Sequence, residues 1–108
     1  MRIDPRAQDD LVRAADHYNS LAPGAGDRFL VAVYQLIDQI VVFPHAGLLI
    51  RPGVRQRLVP RFPYCLVYTT DPTDRVVVAV AHTSRLAEYW IERWEVREPA
   101  ATYLLLAA

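Results

Sequence analysis

The stretch that most narrows what this chain can fold into runs from Val54 to Arg85, VRQRLVPRFPYCLVYTTDPTDRVVVAVAHTSR. It divides into three runs rich in β-branched and aromatic residues, over 54–60, 62–70 and 76–83, each of strand length. Pro60 and Pro63 flank the first junction, and Asp71–Pro72–Thr73–Asp74 forms the second. Proline fixes φ and lacks an N–H, so both clusters belong in turns. Connections this short make the strands antiparallel neighbours, a meander. Alternation places Arg55 and Arg57 on one face of the first strand. It puts Phe62, Tyr64, Leu66 and Tyr68 on one face of the second, with Cys65 and Val67 opposite. The third run, VVVAVAHT, is apolar at both parities, which predicts a central strand covered on both faces, with His82 sharing the parity of Val76, Val78 and Val80.

Upstream the apolar period changes to that of a helix. Asp4–Pro5 supplies an N-cap acceptor and a proline at the first helical position. Ala7, Leu11, Ala14, Ala15, Tyr18 and Leu21 then share a face, while Arg6, Asp9, Asp10, Arg13 and Asp16 suit solvent. A helix over 5–19 follows, broken by Ala22–Pro23–Gly24. A second runs from about Gly26 to Phe43 and stops at Pro44. Its stripe of Phe29, Leu30, Val33, Leu36, Ile37, Ile40 and Val41 is wide enough for burial on two sides. The short break between the helices predicts an antiparallel hairpin. Residues 44–53, punctuated by Pro44, Gly47, Pro52 and Gly53, read as a connecting loop with Leu48, Leu49 and Ile50 packed inward. Met1–Ile3 has room only for a very short edge strand. Past the sheet, Thr83–Ser84 caps a short C-terminal helix in which Leu86, Trp90 and Trp94 recur every four residues. The expected fold class is α+β: a helical hairpin packed on a small antiparallel meander. Residues 1–98 form one domain. The apolar tail 99–108, PAATYLLLAA, covers a sheet edge or the apolar helix face, or meets a partner.

Composition agrees with a single core. The chain has 108 residues, 53% of them hydrophobic, enough to bury one interior without staples. Formal net charge is +0 at pH 7, which argues against indiscriminate nucleic-acid binding. All twelve Lys+Arg positions are arginine, which the base composition of a GC-rich gene explains most simply. Cys65 stands alone among strand residues and reads as a buried, inert thiol. No run is long enough for a transmembrane helix and the start lacks a signal-peptide core, so a cytoplasmic protein without membrane contact is expected. There is no phosphate-cradling glycine loop, dinucleotide fingerprint or nucleophile elbow. His17, His45 and His82 are scattered, so neither metal nor cofactor is expected.

What carries chemistry is the set Arg55, Arg57, Arg61, Tyr64, Tyr68, His82, Arg85 and Tyr89. Taken singly, each is explained as well by a solvated face, aromatic packing or a hydrogen-bonded histidine. Together they suggest recognition. Guanidiniums grip phosphates or carboxylates in bidentate fashion, and a neighbouring tyrosine or histidine stacks or moves protons. Arg51, Arg55, Arg57 and Arg61 form a row without an acid among them, and His82 and Arg85 close the third strand. The row points to a large, partly anionic target.

The order of these pieces, RIDPRAQDDLVRAADHY, a long second helix ending in FP, then VRQRLVPRFPYCLVYT and VVVAVAHTSRLAEYW, resembles the RelE/ParE superfamily of bacterial toxins over roughly Met1–Arg93. The most telling pieces are FPY…VY and AHTSR. The resemblance implies the toxin half of a type II toxin–antitoxin pair, neutralised by a cognate antitoxin segment that folds around it. The apolar stripe Phe29, Val33, Leu36 and Ile40 is the expected antitoxin contact, and a homodimer or a heterotetramer with antitoxin the expected assembly. ParE-like members poison DNA gyrase by binding it, without catalysis. RelE-like members are ribosome-dependent mRNA endonucleases, and by motif position Arg57, Arg61, His82 and Arg85 stand where those keep basic groups. Against the nuclease, the chain has no lysine and no net charge, and no terminal catalytic tyrosine follows in the expected way, Tyr103 in the apolar tail being the only late candidate. The ParE reading is preferred, with Arg55, Arg57, Arg61, Tyr64, His82 and Arg85 as target-binding residues and none catalytic. A non-toxic, antitoxin-binding relative is the third reading. The first strand is shorter than the family pattern.

Overall fold

Asp4 sets where the helical layer begins. Its carboxylate accepts the backbone N–H of Arg6 at 2.9 Å and is clasped by the Arg6 guanidinium at 3.1 and 3.3 Å. With Pro5 in the first turn, this launches α1, Pro5–Leu21. The computed structural model describes residues 1–85. Ala22 leaves the helix in an extended conformation, Gly24 turns at φ 83°, and α2 runs Ala25–Val42. The hairpin is tight because of Gly26. Its N–H donates to Asn19 Oδ1 at 2.8 Å, and a Cβ there would collide with the Ala15 carbonyl.

Five strands form one sheet: β1 (Arg2–Ile3), β2 (Leu48–Arg51), β3 (Val54–Leu58), β4 (Tyr64–Thr69) and β5 (Val76–His82). Their order is β1-β5-β4-β3-β2, and a short 3-10 turn, Thr83–Arg85, follows β5. The three-strand meander is borne out, but the sheet is mixed rather than purely antiparallel, because β1 pairs β5 in parallel. The expected loop also contains a strand. Leu48–Arg51 folds back on β3 through Pro52 and Gly53, the latter at φ 76°. Leu48 and Leu49 are therefore not packed inward. They lie on an edge strand and are 66% and 55% exposed.

One irregularity resets the face of β5. Val67 pairs with Ala79, but its neighbour Tyr68 pairs with Val77, so Val78 is an extra residue. The bulge flips the parity across it. His82 thus shares the helix-facing side with Val80 and Val77, not with Val76 and Val78 as simple alternation implied. The core lies on that side: Leu11 and Ala14 of α1, Phe29, Val33, Leu36 and Ile40 of α2, and Leu66, Tyr68, Val77 and Val80 of the sheet. Each large side chain there contributes roughly 1.5–3 kcal/mol of burial. A second cluster, Val54, Val67, Val78 and Ala79, occupies the opposite face, so β5 is buried on both sides as its sequence required.

Phe29, Val33, Leu36 and Ile40 are at most 1% exposed. They seal α2 against α1 and the sheet, so the antitoxin contact expected of them does not lie on the surface of the folded domain. The apolar residues that α2 does present are Val31, Tyr34, Val41 and Val42, followed by Phe43. No helix among the described residues is long and apolar enough to cross a membrane. The expected C-terminal helix, Tyr89, Tyr103 and the tail 99–108 fall outside the described residues.

Candidate functional site

Where β1 ends after two residues, the outer edge of β5 would be left without a hydrogen-bonding strand. Asp10 of α1 supplies the missing acceptor. Its Oδ2 takes the Val80 N–H at 3.1 Å, and Oδ1 takes Arg13 Nη2 at 2.7 Å. Buried to 4% exposure, this carboxylate pins α1 to the sheet. Beside it a cleft of about 500 Å³ opens between α1 and the end of β5, lined by Arg13, His17, Tyr64, His82, Ser84 and Arg85 among others. Tyr64 and His82 sit opposite each other across β4 and β5, rings edge-on with centroids 5.5 Å apart. The Ser84 N–H donates to His82 Nδ1 at 3.2 Å, with the Ser84 hydroxyl 2.9 Å from the same atom. An Nδ1 that accepts leaves the neutral ring its proton on Nε2. Arg85 is exposed and forms no ion pair among the described residues. The cleft thus gathers guanidinium, imidazole and phenol donors, a set suited to anionic groups.

The arginine row does not line this cleft. Arg55 and Arg57 lie opposite Tyr68 and Leu66, on the helix-facing side, and both are half-buried rather than exposed. Arg55 Nη1 donates to the Gly47 carbonyl at 2.8 Å, and Arg57 Nη2 to Gln39 Oε1 at 3.2 Å. The Tyr68 hydroxyl donates to the Pro44 carbonyl at 2.8 Å. Arg55 and Tyr68 fasten the turn between α2 and β2 onto the sheet, and Arg57 ties β3 to α2 itself. Burial pushes the Tyr68 phenol above its ordinary range, with the Gly47 N–H, Arg57 and Arg55 pulling the other way.

Arg61 sits in the β3–β4 turn at φ 71°, alone among the described non-glycine residues in having a positive φ. It borders a second cleft of about 500 Å³ with Arg28, Val31, Gln35, Gln39 and Phe62. Between the two clefts stands an aromatic wall of Tyr18, Phe29, Phe62 and Tyr64. Its centroids lie 5.0 Å apart for Tyr18–Phe62, 5.1 Å for Phe29–Tyr64 and 5.2 Å for Phe29–Phe62. Tyr64 borders the first cleft and Phe62 the second.

The site residues expected from sequence are therefore divided. Tyr64, His82 and Arg85 come together, Arg61 stands across the wall, Arg55 serves the α2–β2 turn and Arg57 holds Gln39 of α2. Sequence reasoning missed Arg13 and His17, placing α1's polar face in solvent, although their four-residue spacing marks one helical face. It also missed Arg28. Among the described residues no group of three His, Cys, Asp or Glu stands close enough to hold a metal. The Cys65 thiol is buried, which pushes its pKa up and leaves it unreactive.

A family model described as the ParE toxin of type II toxin–antitoxin systems, parDE, matches residues 1–87. No curated protein matches. Among solved structures, a chain of the chromosomal ParDE TA system from P. aeruginosa is similar, with 23% identity and a TM-score of 0.57. The match covers 75% of this chain and 91% of that one, a likeness of fold. A family match that takes in both helices and all five strands means that this chain belongs to the ParE toxin family of type II toxin–antitoxin systems.

Proposed function

We propose that this toxin acts in the cytoplasm by binding and poisoning DNA gyrase, without catalysis of its own, until a cognate antitoxin neutralises it. The observation that carries the reading, given the family, is the division of the basic residues. A nuclease needs its proton-transfer and phosphate-stabilising groups around one scissile bond. Here His82 and Arg85 border one cleft, Arg61 another, and Arg57 is spent on Gln39. Such an arrangement supports recognition across a surface instead. The first cleft, with Tyr64, His82 and Arg85, is the proposed target contact.

For the antitoxin, the last turn of α2 and β2, an edge strand among the described residues, offer exposed Val41, Val42, Phe43, Leu48 and Leu49. An open edge with apolar side chains suits strand addition by an extended segment. The opposite side of the sheet ends on the two-residue β1, and beyond it Asp10 takes the Val80 N–H, which leaves less edge for an added strand among the described residues.

The experiment adds purified toxin to a gyrase supercoiling assay and to a translation reaction scored for mRNA cuts. Inhibited supercoiling, relieved by Arg85→Ala and by the neighbouring gene's product, is the expected result. Codon-positioned mRNA cuts with unaffected gyrase overturn it in favour of the nuclease.

A further inference from the structure

We infer that Phe62–Pro63–Tyr64 is a rigid bracket that sets the shape of the first cleft, with Phe62 as its positioning residue, a role that rests on reading that cleft as the target contact. Phe62 itself lines the second cleft and not the first.

The bracket is stiff because it is closed on itself. The Tyr64 N–H donates to the Phe62 carbonyl at 2.8 Å, which makes a three-residue turn around Pro63. Proline fixes φ at the apex of that turn, so Phe62 and Tyr64 move as one body. The Val59 N–H, bonded to the Tyr64 carbonyl at 2.9 Å, ties the base of the turn to the end of β3.

Two links carry the position of this body into the cleft. One is aromatic. Phe62 and Tyr64 both pack edge-on against the same two rings, Tyr18 of α1 and Phe29 of α2. Tyr64 then meets His82 with the rings at 77°. Without the Phe62 ring, Tyr18 and Phe29 are free to relax towards the second cleft, and Tyr64 follows them away from His82. The other link is a backbone bond. The Pro63 carbonyl accepts the Thr83 N–H at 2.9 Å. Thr83 opens the 3-10 turn that places Ser84 and Arg85 on the cleft. One tripeptide therefore holds the His82 ring through Tyr64, and the chain after it through Pro63.

Burial separates this role from ordinary core packing. Phe62 and Tyr64 are half-buried and Pro63 is exposed, whereas Phe29 is sealed in the core. Changes in the bracket should register at the cleft before they register in the whole fold. The Val80 N–H, held separately by Asp10, is an internal reference on the same strand as His82.

The test is amide hydrogen exchange and ring–ring Overhauser contact, both by NMR on the full chain. Phe62→Leu keeps an apolar side chain and removes the ring. It is expected to speed exchange at Thr83 about tenfold and weaken the Tyr64–His82 contact, while Val80 stays protected. Phe62→Tyr, which keeps the ring, should restore both. Pro63→Gly, at an exposed position, should speed Thr83 exchange with the aromatic wall intact. Against gyrase, Phe62→Leu should inhibit supercoiling about tenfold less than wild type. If wild type leaves gyrase untouched, the gyrase reading fails, and the exchange pattern still decides the bracket. Unchanged Thr83 exchange in both Phe62→Leu and Pro63→Gly, or Thr83 and Val80 losing protection together, would overturn it. So would local loosening that leaves the inhibition of an active wild type undiminished.

Discussion

Tyr68 illustrates how one side chain can hold a fold while looking like part of a site. Its ring is fully buried in the core and its hydroxyl reaches the Pro44 carbonyl at 2.8 Å. Tyr68→Phe keeps the packing and loses the hydroxyl's bonds to Pro44 and Gly47, so a loss of about 1 kcal/mol is expected. Thermal melting should show it as a drop of roughly 4–8 °C, and an unchanged melting temperature would mean the bonds contribute nothing. The same burial gives a pH signature. The phenols of Tyr68 and Tyr18 and the thiol of Cys65 are all raised, in each case chiefly by desolvation. Each holds its proton more tightly folded than unfolded. Their stabilisation is therefore complete below the ordinary thiol and phenol range, about pH 8.5–10, and is lost as pH rises through the folded values. Alkaline titration followed at the ring resonances of Tyr68 and Tyr18 should show these two phenols ionising together with loss of far-UV dichroism. Ionisation of Tyr68 at the ordinary phenol pH in a still-folded chain would contradict the assignment. Asp71 acts in the opposite direction, held low by the Thr73 N–H and hydroxyl, but at an exposed turn its effect is slight.

At the scale of elements, the parts with several periods of pattern were legible and the short ones were not. Both helices and β3, β4 and β5 fell near their expected places because a wide stripe or several alternating residues defines a face. β2 has four residues with no alternation, and what makes it a strand is pairing with β3, which sequence does not display. The Val78 bulge was equally invisible, since every residue around it is apolar. The site shows the same limit. Tyr64, His82 and Arg85 stood out by position at strand ends, whereas Arg13 and His17 join them only through the docking of α1. Two substitutions test that docking. Gly26→Ala would press a methyl group into the Ala15 carbonyl and Asn19, backbone and a tethered amide that cannot simply yield. Overpacking of this kind costs about 1–3 kcal/mol, readable as a lowered denaturant midpoint with unchanged slope. Asp10→Ala removes the acceptor of the Val80 N–H and should cost about 1.5–3 kcal/mol, with Asp10→Asn costing less. A wild-type midpoint for Asp10→Ala would show that the edge of β5 is satisfied otherwise.

For the molecule as a whole, charge separates the gyrase reading from the ribosomal one. The formal net charge is +0, and exposed Arg13, Arg85, Arg28 and Arg61 are shared between two clefts on either side of the aromatic wall. A protein that enters a ribosomal site gains affinity by displacing counterions from many phosphates at once. Each neutralised phosphate steepens the salt dependence by about 0.9 in log–log slope. Contact through one cleft, with Arg13 already engaged by Asp10, leaves one or two phosphates within reach. Affinity for a duplex or structured RNA should then fall by only about tenfold between roughly 50 and 200 mM salt, against about a thousandfold for six contacts. Anisotropy with a labelled duplex at those two salt concentrations measures the slope directly. A shallow slope, together with binding to purified gyrase that persists at the higher salt, is the outcome expected of a surface that recognises protein. A slope of about five or more, the six-contact case, would mean that Arg51, Arg55, Arg57 and Arg61 act with the cleft as one basic track after all, and the nuclease reading would return with them.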